Sequence, residues 1–331
     1  MDQPQSSVWT GEVIREALDL QASCLSVDQH SHLCPEKLRP KLYTYLFHPV
    51  GPLRQAVVAL TSNYFGCESP QALASKHPEE WPALANTVVL SLGAGRVSTR
   101  EAAVQAAQVL FRGRTWAEVE VIFEDLWTIV VKLMDDMETK IQAVVKPLVR
   151  MMRNLTLRLC DVKVTPKKEV EAAMDAVVPL LLKFCERYKH AQPVCFDVMR
   201  ELVKGAQGTS LLTAHVQNLI PPLLVSLSMM EADAFQYYQF HVNAASEEKG
   251  KELEAARISN SRDSESMKLL RQLVPLITAE CAEELAPRTR DSLHRGVGAN
   301  TRVGVCDFWV AVCAERPNAV PTGGAVATSM L

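Results

Sequence analysis

Apolar residues recur along this chain at alternating steps of three and four, and the runs come in adjacent pairs. Val119, Ile122, Phe123, Leu126, Val130, Leu133 and Met137 form one run; Ile141, Val144, Val145, Leu148, Met152, Leu155 and Leu159 form the next. Such spacing places the apolar side chains on one stripe of a helix, so each run reads as an amphipathic helix with one buried face. Only a few residues, including Asp135 and Asp136, separate the two. So short a connection folds the helices back as an antiparallel pair, and an aspartate there can accept hydrogen bonds from the free N–H groups opening the second helix.

The same plan recurs. Residues 37–47 pair with 52–65, 81–92 with 99–111, 170–188 with 193–204, and 282–295 with 301–314. Residues 211–229 lead into a long helix from about Glu231, and residues 318–331 read as a first helix without its partner. No two-residue alternation is long enough for a sheet. Two details repeat in position. A proline sits inside apolar first helices at Pro179, Pro222, Pro287 and Pro321, where it removes a backbone bond and bends the helix. An arginine opens second helices at Arg54, Arg100 and Arg302, with Gln142 at the equivalent place after Ile141; Pro147 falls inside a second helix and should kink it. Two-helix units repeating near 40–47 residues mark HEAT or armadillo arrays rather than a tetratricopeptide array. The expected fold is all-α, an α-α superhelix (a HEAT/armadillo-like solenoid) of about seven stacked pairs, because each pair leaves an apolar face that only a neighbour covers.

Composition agrees. Hydrophobic residues make up 48% and charged residues 22%, enough to build a core, and 14 glycines with 6% aromatics argue against a β-sandwich. The net charge of −3 gives no global field for phosphates, so nucleic acid is not an expected partner. The first residues lack the basic and apolar regions of a signal peptide, and no apolar run approaches the ~20 residues that span a bilayer; membrane insertion is not expected. Nine cysteines, an odd number without a C-x-x-C spacing, fit reduced and mostly buried thiols of a cytoplasmic or nuclear protein.

The chemistry-bearing motifs are weak. His30, His32 and Cys34 lack the spacing of a closed zinc site. The stretch from Gly296 to Thr301 lacks a third glycine, a preceding strand and a P-loop lysine, so it reads as a turn, with Gly296 and Gly298 at special backbone angles and Asn300 or Thr301 capping the next helix. Asp136 reads as a helix cap rather than half of an acid pair. Asn154 matches a glycosylation sequon but lies mid-helix. Trp9, Trp81, Trp116, Trp127 and Trp309 read mostly as core anchors. No nucleophile carries a local signature, so no enzyme, cofactor or metal is expected.

One stretch departs from the period. Residues 244–271 carry six acids and six bases, which reads either as a solvated helix and loop or as a projecting partner contact. The candidate contact residues are Glu247, Lys251, Arg257, Arg262 and Lys268, and residues 255–271 are expected to project. The chain then divides into a partly helical segment 1–36, helix pairs over 37–230, a charged helix and loop over 231–266, and further helices over 267–331.

A family resemblance attaches to particular residues: Leu227-Ser228-Met229-Met230-Glu231; Glu247-Glu248-Lys249 and Ala255-Ala256-Arg257 with Ser259, Ser261 and Ser264; and Glu284-Leu285-Ala286-Pro287-Arg288 through Arg295-Gly296-Val297-Gly298 to Thr301-Arg302-Val303-Gly304. Upstream lie Phe111-Arg112-Gly113-Arg114, Asp125-Leu126-Trp127, Met134-Asp135-Asp136 and Leu159-Cys160-Asp161. In order and spacing these resemble the large HEAT-repeat proteasome adaptors and scaffolds, over roughly residues 112–331 and more loosely 41–110. The resemblance implies a non-enzymatic tether of the proteasome core and regulatory particles, active in assembly and quality control in cytoplasm and nucleus. Family members are several times longer, so the chain is expected to represent a stretch of their C-terminal half. The alternative is another HEAT scaffold, such as a transport receptor or phosphatase scaffold.

Overall fold

The computed structural model describes residues 39–67, 69–206, 211–227, 247–295 and 299–320, and every regular element among them is helical. They fall into two compact units, one up to Leu155 and the other from Thr156. The first-helix reading of residues 318–331 lies largely outside the described residues; within them, Pro317–Ala319 form a single 3-10 turn.

The first unit contains α1 (Arg39–Leu46), α2 (Gly51–Phe65), α3 (Pro70–Lys76), α4 (Trp81–Leu92), α5 (Val97–Leu110), α6 (Trp116–Val119), α7 (Phe123–Met134) and α8 (Thr139–Leu159), the last running just past the boundary. Two antiparallel pairs are α1 with α2 and α4 with α5, and α8 follows α7 across a four-residue turn. First helices stack on first helices, α1 on α4 and α4 on α7. Second helices stack likewise, since Gln108 on α5 donates through Nε2 to the Val144 carbonyl of α8 at 3.3 Å. Leu84, Val88, Leu92, Leu126, Trp127 and Val130 fill the core between these layers. The stripe read from the sequence is therefore the buried one.

Two local departures have physical causes. The run expected over residues 119–137 is broken: α6 leads into a 3-10 turn, Glu120–Ile122, before α7. A capping box starts this segment, with the Thr115 hydroxyl and N–H both bonded to Glu118 Oε2 at 2.9 and 2.7 Å. Partial burial works against the Glu118 charge, but the Thr115 N–H, Arg114 and the Thr115 hydroxyl together hold its carboxyl below the ordinary range. At the other end α7 stops at Met134, so Met137 is not on the apolar stripe; it is 99% exposed in the turn. The short helix α3, with a Ser69 cap bonded to the Ala72 N–H at 3.1 Å, was not expected.

The second unit contains α9 (Lys167–Arg187), α10 (Gln192–Gly205), α11 (Thr213–Ser226), α12 (Glu247–Arg262), α13 (Glu265–Leu273), α14 (Ala279–Arg295) and α15 (Ala299–Glu315). The same two layers form: α9, α11 and α14 stack as first helices, and α10, α13 and α15 as second helices. Helix α13 is thus the partner of α11, and α12 is inserted between them, lying along α15. This corrects the expectation that residues 255–271 project. Met267, Leu269, Leu270 and Leu273 are buried, and Ser264 caps α13 by accepting from the Met267 N–H at 3.2 Å. Layered helix pairs of this kind make the fold an α-α superhelix of HEAT type.

Prolines lie inside the first helices α9, α11 and α14 at Pro179, Pro221, Pro222 and Pro287, and inside the second helix α8 at Pro147. Pro179, Pro287 and Pro147 face solvent, where water is available to the carbonyl that each proline cannot bond four residues earlier. Pro221 frees the Gln217 carbonyl, and there Arg288 of α14 donates through Nη1 at 3.3 Å. The bend and its neighbour are matched. Pro321 lies outside the described residues.

Candidate partner-binding surface

The turn edge of the first unit is built by a repeated arginine. Arg54 Nη1 donates to the carbonyls of His48 and Pro49, six and five residues earlier, at 2.6 and 2.9 Å. Arg100 Nη1 donates to Ala94 and Gly95, also six and five residues earlier, at 3.0 and 2.9 Å. Gln142 stands at the equivalent place and keeps half the pattern: its Nε2 donates to the Asp136 carbonyl at 2.7 Å. Each side chain closes the turn in front of its helix by satisfying carbonyls left over from the preceding one. Arg100 also reaches the next pair, its Nη2 3.1 Å from Asp136 Oδ1, and both side chains are largely shielded from solvent. Asp136 Oδ1 accepts from the Glu138 N–H at 2.9 Å as well. The carboxylate therefore orders its own turn and ties two successive turns together. Among the described residues Arg54 has no such second bond, and the residue matching Asp136 in the following turn is Ala94.

The corresponding turn of the second unit is described only in part. Gly296 and Gly298 lie outside the described residues. Thr301 and Arg302 fall inside the first turn of α15, which opens at Ala299, so neither is the residue before the helix. Thr301 is fully buried and Arg302 exposed. Gly304, two residues on, lies within the helix and packs tightly: a Cβ there would stand 2.2 Å from Leu227 Cδ1. A glycine in an otherwise apolar helical run was the available signal for that approach of α15 to the end of α11.

The five charged candidates do not form one cluster. Glu247 opens α12, and Lys251 is exposed one turn later. Arg257 lies further along the helix. Arg262, at its end, makes a bidentate pair with Asp307 of α15, Nε to Oδ2 at 2.7 Å and Nη2 to Oδ1 at 3.1 Å. That hydrogen bonding raises the arginine's already high pKa. Arg262 therefore fastens α12 to the array. Lys268 belongs to α13 and pairs with Glu265 at 3.1 Å. Glu265 also receives Arg200 of α10, and Lys268 and Arg200 together hold its carboxyl below the ordinary range.

Buried polar chemistry elsewhere is structural. Trp309 Nε1 donates to Thr289 Oγ1 at 3.0 Å, and Thr289 in turn bonds the Leu285 carbonyl at 2.8 Å. Trp81 Nε1 donates to the Glu118 carbonyl at 2.6 Å. Trp81, Trp116, Trp127 and Trp309 are all buried; Trp9 lies outside the described residues. An apolar cavity of about 260 Å³ opens beside the α11 prolines, lined by Leu182, Cys185, Phe196, Pro221, Pro222 and Val225. The Cys185 thiol is pushed upward by its hydrogen bond with Cys195 and by burial, which works against thiolate reactivity. Among the described residues no group of three His, Cys, Asp or Glu side chains is placed to hold a metal ion, and no helix is long and apolar enough to cross a membrane.

Comparison with known proteins bears on the same residues. Residues 212–329 match the family model described as proteasome adapter and scaffold protein ECM29, HEAT-repeat domain. Human proteasome adapter and scaffold protein ECM29 is 23% identical over 300 residues, covering 89% of this chain. The chain spans 15% of that relative's length. The family model covers the blocks from Leu227 onward, and the blocks upstream of residue 212 lie outside it.

Proposed function

We propose that this chain is a non-catalytic scaffold segment that binds the proteasome, tethering core and regulatory particles and supporting assembly or quality control in the cytoplasm and nucleus. One observation carries the reading: residues 212–329 match the HEAT-repeat domain model of a proteasome adapter and scaffold. The architecture suits the role. Layered helix pairs offer extended surfaces that bind by distributed contacts rather than at one reactive pocket. The best-defined ion pairs, Arg100–Asp136 and Arg262–Asp307, join one helix or turn to another. That is the chemistry of a body held in shape.

The test is co-sedimentation of the purified chain with intact proteasomes and, separately, with isolated core and regulatory particles. Binding to both particles supports the tether, whereas binding to neither overturns it. Affinity capture from cell extract read by mass spectrometry provides the second arm. Recovery of transport cargo or phosphatase subunits without proteasome subunits would favour the other HEAT-scaffold classes.

A further inference from the structure

Helix α8 carries charge of one sign. Its 21 residues, from Thr139 to Leu159, include Lys140, Lys146, Arg150, Arg153 and Arg158 and no aspartate or glutamate, in a chain whose net charge is −3. Within the first unit, Lys146, Arg150 and Arg153 follow at intervals of four and three, so they share one face of the helix. That face lies opposite the buried stripe of Ile141, Val145, Leu148 and Met152. Lys146 and Arg150 are exposed and make no ion pair among the described residues; Arg153 Nη1 donates to Asn154 Oδ1 at 3.3 Å. Helix α5 does not neutralise Lys146 and Arg150. Helix α5 runs beside α8 in a fixed register, because Arg100 meets Asp136 and Gln108 meets Val144, both at a separation of 36 residues. The one acid of α5, Glu101, lies at its start; the exposed base Arg112 follows its end, at the level of Leu148.

We infer that this face of α8 is a docking surface for an acidic, extended protein segment. Three bases span about 10 Å along the helix at 1.5 Å per residue. That matches carboxylates on about four residues of extended chain at roughly 3.3 Å each. The half-exposed Val149 lies within the same stretch, giving a peptide's apolar atoms a place to rest. Nucleic acid fits less well. Single strands bind where aromatic rings stack between the bases, and α8 has no aromatic residue. The surface goes beyond the proteasome reading and does not depend on it, because its ligand is defined by charge.

The experiment uses the full chain and a labelled peptide of about nine residues alternating Glu, Asp and Gly, followed by fluorescence anisotropy. Binding is expected to weaken as salt rises from about 0.05 to 0.15 M. The K146E/R150E/R153E variant should lose at least tenfold in affinity, and K146Q/R150Q/R153Q should fall between it and the parent. A control with the same charge change on exposed lysines, K163E/K167E/K168E, should bind as the parent does. Unchanged binding by K146E/R150E/R153E, with parental helicity by circular dichroism, would overturn the assignment, as would equal loss in the control. So would tighter binding of a single-stranded oligonucleotide of equal charge, or of anionic vesicles, than of the peptide. Failure of proteasome co-sedimentation with peptide binding intact would strike the proposed function and leave this surface standing.

Discussion

Individual residues here are decided by how closely the helices approach. Gly304 is the sharpest case. On helix propensity alone, Gly304→Ala would gain about 1 kcal/mol. The new methyl would meet Leu227 Cδ1 at 2.2 Å, and Leu227 is fully buried, so it has little room to yield. Overpacking typically costs about 1–3 kcal/mol, so the net change is expected to be destabilising. Urea unfolding of Gly304→Ala measures it, and Leu227→Ala in the same chain should relieve part of the loss. Unaltered or increased stability would mean the helices separate freely. Trp127 poses the opposite problem. It is 1% exposed, and Trp127→Ala empties a large site that the surrounding helices cannot refill. The expected loss is about 3–5 kcal/mol, read from the same unfolding curves; a loss below about 0.5 kcal/mol would be that of a surface position.

Elements show what was legible and what was not. The antiparallel pairing of successive helices, the prolines at Pro179, Pro222 and Pro287 and the turn-closing arginines Arg54 and Arg100 could be read, because each is a local pattern with a local cause. The arginine pattern leads to a comparison. Arg100 bonds two carbonyls and the shielded Asp136, whereas Arg54 bonds two carbonyls alone. Hydrogen bonds from a charged group contribute about 1.5–3 kcal/mol, and Arg100 adds to its two carbonyl bonds a partly shielded ion pair, so Arg100→Ala should destabilise more than Arg54→Ala by thermal or urea unfolding. Equal losses would mean the Asp136 bond adds nothing. Helix α3 escaped notice because it is short and buries just Leu73 and Ala74. Helix α13 was misread because Arg262, Asp263, Glu265, Lys268 and Arg271 crowd the same stretch as Met267, Leu270 and Leu273, and charge density hid the three- and four-residue steps. Deleting residues 265–273 is therefore expected to unfold the second unit, with marked loss of helicity by circular dichroism. Native-like helicity would restore the view that the segment projects. The basic face of α8 was missed for a related reason: a near-neutral sum conceals a helix of one sign.

For the whole molecule, the cysteines report where the core closes. Cys67, Cys160, Cys185, Cys195 and Cys281 are buried, whereas Cys306 and Cys313 face outward on α15; all seven are free thiols. Burial pushes the Cys160 thiol up to about 12, and burial with the nearby Glu284 raises Cys281 as well. At neutral pH such groups stay protonated, and alkylation needs both access and thiolate. The two-layer architecture thus makes a residue-specific forecast. Under native conditions iodoacetamide should modify Cys306 and Cys313 first. Cys67, Cys160, Cys185, Cys195 and Cys281 should react only as urea opens the helix layers that cover them. Peptide mapping by mass spectrometry across a urea series resolves each position. Rapid native labelling of Cys67 or Cys195, both fully buried, would mean that the layers around them breathe open well below global unfolding. Protection lost in step with helicity would instead show that each thiol lies inside a core that opens cooperatively, as the proposed scaffold role requires.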